Sequence, residues 1–250
     1  MNAEETRRAF LTIAGAGALL AACRKETHAE PERAAPPPSA SAAGDAAKDA
    51  DKGEEVSATE DLMREHGVIR RILVVYRLSA VKLRAKPAAF PLDALQRAAK
   101  LMHTFGEEYH EKQLEEAHLF PAVKKAGGAA AGEIDTLLAQ HQRGREITDY
   151  VLAVTQKSIG TAAEPLARTL EAFSLMYEEH AAREDTIVFP AWKKALSAKQ
   201  LDEMGDRFED IEHKTFGKDG FDDAVEQIAA IEHALGLDNA ALTAPPPPKG

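Results

Sequence analysis

One cysteine, Cys23, is all that a chain of 250 residues contains. An internal disulfide, a cysteine-based zinc site and a four-cysteine iron–sulfur cluster are thereby excluded. Any metal must sit on histidine and carboxylate. Lysine and arginine form no block: 31 of them stand against 41 acidic residues, a formal charge of −10 with a pI near 5.4. Neutralising phosphates takes a clustered basic footprint, so a nucleic-acid partner is not expected. No stretch alternates apolar and polar residues as a strand does. There is no Gly-rich loop after a strand and no Ser/His/Asp arrangement. The apolar run Leu11 to Ala22 is too short to span a bilayer as a helix.

That run follows Thr6-Arg7-Arg8-Ala9-Phe10-Leu11, which resembles a twin-arginine export signal. Leu20-Ala21-Ala22-Cys23 resembles a lipobox, whose cysteine is acylated and becomes the first residue of a mature lipoprotein. The alternative is an ordinary signal peptide with an incidental cysteine, but the chain's one cysteine falls where a lipobox requires it. The expectation is an exported periplasmic or cell-surface lipoprotein, held to a bacterial membrane only by a lipid anchor at Cys23. Residues 24–56, rich in Ala, Pro and charge and free of aromatics, cannot bury enough apolar surface to offset their ordering entropy and read as a tether. Residues 238–250 read as a Pro-rich tail.

Pro31, Pro36 to Pro38 and Pro245 to Pro248 account for eight of the 13 prolines, which leaves the intervening chain permissive for helix. Its apolar period is helical throughout, so an all-α domain is expected. Helix A begins at the capping box Ser57-x-x-Glu60 and runs to about Arg84. Helix B runs from near Pro91 to about Phe120, with Pro121 kinking it and Gly127-Gly128 ending the unit. Helix C covers about 132–158, and helix D runs from near Pro165 to Phe189-Pro190. Short connections predict an up-down-up-down antiparallel four-helix bundle over 57–195. Ser197-x-x-Gln200 caps a fifth helix in a C-terminal extension, 196–237.

The chain repeats itself weakly. Leu62-x-x-x-His66-x-x-x-Arg70 returns as Leu137-x-x-x-His141-x-x-x-Arg145, and Glu115-Glu116-Ala117-His118-Leu119-Phe120-Pro121-Ala122 returns as Glu184-Asp185-Thr186-Ile187-Val188-Phe189-Pro190-Ala191. Two similar helical hairpins therefore face one another. His66 shares the apolar stripe of Leu62, Ile69 and Leu73, and His180 is in register with Phe173, Met176, Glu184 and Ile187. A carboxylate such as Glu184 in a bundle interior costs several kcal/mol unless paired or bound to a cation. His180 and Glu184, four residues apart, have the spacing of metal ligands on one helical face. His141 adds a ligand from helix C. On helix B, Glu115 follows His110 by five residues, a rotation of about 140° in an α-helix. Either both ligate from the edges of the face, with Glu111 as a substitute or additional ligand, or a kink or π-bulge realigns them. Four inward histidines, one per helix and two with carboxylate partners, point to a metal site where any one alone reads as a core residue. Tyr109 and Tyr177, beside proposed ligands, are core residues or hydrogen-bond a ligand from the second rank. His103, His118 and His213 read as peripheral, and Trp192 as a packing anchor.

From Leu62 to Pro190 these residues resemble the hemerythrin-like domains of the HHE cation-binding type. The resemblance implies a non-haem di-iron centre in a four-helix bundle, with His66, His110, His141 and His180 as ligands and Glu115 and Glu184 bridging alongside an oxygen species. It implies dioxygen or a similar diatomic molecule as the ligand. One departure stands out: oxygen-carrying members have a second histidine one turn from the helix C ligand, where this chain has Leu137 and Arg145. A carboxylate such as Glu111 fills that place, or it is open to water or substrate. The expected function is dioxygen or small-ligand binding. The alternatives are an oxidase- or peroxidase-type detoxifying enzyme and a redox-inactive iron or zinc binding protein.

Overall fold

The computed structural model describes residues 56–157, 160–237 and 242–248. The export signal with Cys23, the tether to residue 55 and parts of the tail lie outside the described residues. Among those described there is no strand, and no helix is long and apolar enough to cross a membrane.

Helix α1 spans Ala58–Ala85. Ser57 caps it, its side chain accepting from the Glu60 N–H, while Glu60 and Asp61 in the first turn and Lys82 and Arg84 in the last complement the helix dipole. Helix α2, Leu92–Leu101, continues without a break into a π-helical segment, Met102–Leu119, and then into α3, Phe120–Ala126. Gly127 and Gly128, at φ of +77° and +79°, turn the chain where a side chain would strain it. Helix α4 is Ala129–Thr155, starting three residues earlier than its sequence signal. Helix α5, Ala163–Arg183, passes through a second π segment, Glu184–Val188, into α6, Phe189–Ala195.

These elements form the expected bundle. Antiparallel pairing of α1 with α5 is written in its ion pairs: Arg84 meets Glu164 and Glu171, Arg77 meets Glu178, and Arg70 meets Asp185. Neighbours around the ring are α1 with the α2–π helix, that helix with α4, α4 with α5, and α5 with α1. Away from the histidines the interior is apolar, with Ile72, Leu73, Tyr76, Leu83, Leu166, Leu170 and Phe173 fully buried.

The C-terminal extension is two helices rather than the single one its capping signal suggested: α7, Ala198–Phe216, and α8, Gly220–Leu235. Both bonds of the Ser197–Gln200 capping box form, and Asp219 caps α8 by accepting from the Asp222 N–H. Helix α7 packs on α1 and the first π segment, and α8 on α1 and α2. Trp192 anchors the join, stacking on Phe208 of α7 at 5.9 Å and 8°.

Candidate metal centre

The five-residue spacing of His110 and Glu115 is accommodated by the helix itself. In the first π segment the hydrogen bonds reach back five residues, as in Phe120 N–H to Glu115 O, so that residue i+5 stands about one turn above residue i. Both side chains face inward, and both are buried. In the second hairpin His180 and Glu184 align by ordinary i,i+4 spacing. The π turn follows them, with Phe189 N–H donating to Glu184 O.

All four imidazoles send Nε2 into one buried space. Glu115 lies across it: Oε1 is 3.4 Å from His110 Nε2 and Oε2 is 3.4 Å from His141 Nε2. Glu184 Oε2 is 3.4 Å from His66 Nε2 and 3.0 Å from His180 Nε2. Nε2 of His141 and of His180 stand 3.1 Å apart. Two overlapping donor groups result, His66–His110–Glu115 and His141–His180–Glu115–Glu184. His110 Nε2 and all four oxygens of the two glutamates have no hydrogen-bond partner although they are shut away from water. Orphaned buried carboxylates are costly, and a bound cation is the compensation this donor set fits.

Behind each ligand stands a hydrogen-bond acceptor. His66 Nδ1 meets Asp185 Oδ1 at 2.7 Å, His110 Nδ1 meets Glu65 Oε2 at 2.5 Å, His141 Nδ1 meets Glu116 Oε1 at 2.9 Å, and His180 Nδ1 meets Gln140 Oε1 at 2.9 Å. Each acceptor holds the imidazole of an adjacent helix, so the contacts close a ring round the bundle. This fixes the Nδ1–H tautomer and aims Nε2 at the centre. None of the four was singled out from sequence, yet each is the chain neighbour of a ligand: 65 of 66, 116 of 115, 140 of 141, 185 of 184. The repeated Phe-Pro has a use too, since Phe189 stacks on His66 at 5.2 Å and Phe120 on His141 at 5.4 Å.

The electrostatics follow from this packing. Burial pushes the His66, His110 and His141 imidazoles down, but their carboxylate partners outweigh it: His66 is raised by Asp185 and Glu184, His110 well raised by Glu115 and Glu65, and His141 raised to about 10 by Glu111, Glu115 and Glu116. A cation taken up here competes with protons for these nitrogens.

Glu111 stands outside the convergence. Its Oε1 accepts from the Tyr177 hydroxyl at 2.6 Å and its Oε2 from Arg145 Nη1 at 3.2 Å, on the Nδ1 side of His141 rather than the Nε2 side. Burial raises its carboxyl to about 7 against the pull of His141, Tyr177 and Arg145. Glu111, Glu116 and His141 make a third acidic grouping, but the Arg145 guanidinium bonds both glutamates there. Of the two positions one turn from His141, Arg145 pairs with these glutamates and Leu137 is buried in the core. Tyr177 touches His180, ring to ring at 5.2 Å. The Tyr109 ring packs between Phe105 and Phe216, and its buried hydroxyl stands against Glu65, the carboxylate that holds His110. Of the peripheral histidines, His103 bonds Glu107 at 3.2 Å, His118 lies 6.1 Å from Phe208, and His213 is exposed.

Comparison with known proteins agrees with this geometry. The hemerythrin HHE cation binding domain matches residues 57–192, a span that takes in all six inward histidines and glutamates of the candidate centre. The chain belongs to the hemerythrin HHE cation-binding family. Uncharacterized proteins of Mycobacterium bovis and of two strains of Mycobacterium tuberculosis are each 44% identical to it over 186 residues, covering 73% of this chain and 71% of theirs. No solved structure matches. Helices α7 and α8 lie beyond the family's span, as additions to the hemerythrin fold.

Proposed function

We propose that this hemerythrin-family chain is a non-haem di-iron protein that binds dioxygen or a related small ligand, at the outer face of a membrane to which acylated Cys23 tethers it. One observation carries the reading: four imidazole Nε2 atoms, two per side, converge on two buried glutamates whose oxygens have no hydrogen-bond partner. His66 and His110 would hold one ion, His141 and His180 the other, with Glu115 and Glu184 shared. Bound there, two iron ions would supply paired one-electron redox changes and a coordination position for the ligand. The chain's own part is to orient the imidazoles through Asp185, Glu65, Glu116 and Gln140, to exclude water with Phe120 and Phe189, and to hold charge near the centre with Arg145.

The test is iron per chain on the full-length protein, with optical spectra in air, after reduction and on readmitting oxygen. About two irons and a near-ultraviolet band that bleaches and returns support ligand binding. Steady consumption of oxygen or peroxide would move the reading to an oxidative enzyme. Metal that never changes valence would leave a redox-inactive cation-binding protein, and absence of metal overturns the proposal.

A further inference from the structure

The two hairpins are related by a pseudo-repeat that extends to the residues behind the imidazoles, and among those four residues it fails at one pair of positions. His66 is held by Asp185, whose other oxygen takes Arg70. His141 is held by Glu116, which also takes Arg145. Arg70 and Arg145, like Asp185 and Glu116, are equivalent in the repeat, so each of these two imidazoles has an acid–arginine pair behind it; Glu111 also stands 3.9 Å from His141 Nδ1, but its oxygens are taken by Tyr177 and Arg145. The residues just before His66 and His141 are Glu65 and Gln140, and these hold His110 and His180. Here the equivalence breaks. Glu65 is a carboxylate, 1% exposed, and among the described residues no lysine or arginine pairs with it. Gln140 is a neutral amide. A carboxylate behind Nδ1 draws its proton and makes Nε2 a stronger donor, whereas an amide fixes the ring with much less effect on basicity.

We infer that the two metal positions are unequal: the His66–His110 position binds tightly and fills first, and the His141–His180 position binds more weakly, fills second and exchanges its ion with solution, the difference being set by Glu65 against Gln140. The inference rests on the metal-centre reading above and concerns its internal order. Glu65 and Gln140 are positioning residues, acting on the metal through the imidazole they hold. A half-loaded protein with an ion on the His66–His110 side is a defined intermediate of assembly.

The test uses metal-free full-length protein titrated with Co²⁺, followed by ligand-field absorption and by calorimetry. Two steps are expected, with dissociation constants roughly 10–100-fold apart, the usual effect of an outer partner on metal affinity. His180→Ala keeps the tight step and loses the weak one, while His110→Ala loses the tight step. Gln140→Glu and Glu65→Gln each narrow the gap, and the double exchange Glu65→Gln/Gln140→Glu reverses the order of filling. Far-ultraviolet circular dichroism confirms that each variant is helical, and Gln140→Glu, at a half-buried position, carries the test if Glu65→Gln does not fold. Two equal steps overturn the inference and leave the metal centre standing. So does loss of the tight step in His180→Ala, or a gap that Gln140→Glu does not change. Failure of the unmutated protein to bind any cobalt overturns the metal centre as well.

Discussion

The second helix of each hairpin lines the bundle interior with a stripe at four-residue spacing, and the two stripes differ in kind. On the first π segment it is Glu107, Glu111 and Glu115, with half-exposed His103 at the outer end; on α5 it is Phe173, Tyr177 and Ala181, one helical position off the register of His180 and Glu184. One side of the bundle interior is acidic and the other aromatic, and they meet where Tyr177 donates to Glu111. The acidic side needs compensation at each step: His103 for Glu107, Tyr177 and Arg145 for Glu111, the metal centre for Glu115. The aromatic side needs none and supplies packing, with Phe173 stacked on Tyr177 at 4.4 Å and edge-on to Tyr76 at 5.3 Å. Stability on α5 comes from burial, whereas the first π segment gives some of it up to keep charge inside.

The largest effect is expected where the acidic stripe reaches the centre. Glu115 is the carboxylate that both donor groups contain, so Glu115→Ala removes a ligand from each and metal content falls from about two ions per chain to below one. Elemental analysis after loading and desalting checks it. A variant that still held two ions would mean that Glu184 alone bridges and that the π segment's alignment of residue 115 is not what the centre depends on.

Next comes the acid one turn from the surface. Burial raises the Glu107 carboxyl to about 7 from 4.5, with Glu111 adding to the effect and Thr148 and His103 opposing it. The folded chain therefore keeps this proton between pH 4.5 and 7 while the unfolded chain releases it. Stability from this group is full below about 4.5 and is lost as pH rises through about 7. Glu107→Gln removes that dependence. Metal-free Glu107→Gln should gain on the order of 3 kcal/mol over the parent at pH 8 and little at pH 4.5. Urea unfolding across that range checks the sign, and a uniform loss at every pH would show the carboxylate to be paired by something stronger than His103.

These same two stripes explain what the sequence could and could not disclose. Helices, the Ser57 and Ser197 caps and the inward register of His66, His141, His180 and Glu184 follow from period and spacing because they are local: His66 in register with Leu62 and Ile69, or His180 with Glu184, is decided within three turns of one helix. The five-residue interval from His110 to Glu115 marked an irregularity, and the π segment resolves it. Its length of 18 residues, and the second π segment at 184–188, carry no sequence sign that an α-helix would not share. The ring of Nδ1 acceptors was hidden for a different reason. Glu65, Glu116, Gln140 and Asp185 each act on another helix, and single-chain periodicity does not report which helix stands beside which. Division of 196–237 into α7 and α8 turns on Gly217 and Asp219, a turn signal within a stretch whose fifth-helix cap drew attention first.

The contact between the stripes can be tested by two substitutions in one helix. Gly144 of α4 faces Tyr177, and a Cβ there would overlap its hydroxyl; Gly132, three turns earlier, has nothing within 4 Å. Gly144→Ala must push Tyr177 aside, break its bond to Glu111 and leave that carboxylate with Arg145 alone, a loss of about 1–3 kcal/mol. Gly132→Ala has only the helical backbone to answer to. Replacing a helix-interior glycine where φ is already helical restricts the unfolded chain and costs no contact, so it should raise stability by about 0.5–1 kcal/mol. Thermal unfolding of both against the parent gives opposite signs from the same chemical change. The same sign at both positions would mean that the Tyr177 hydroxyl moves freely, and that the aromatic stripe adjusts to the acidic one rather than holding it in place.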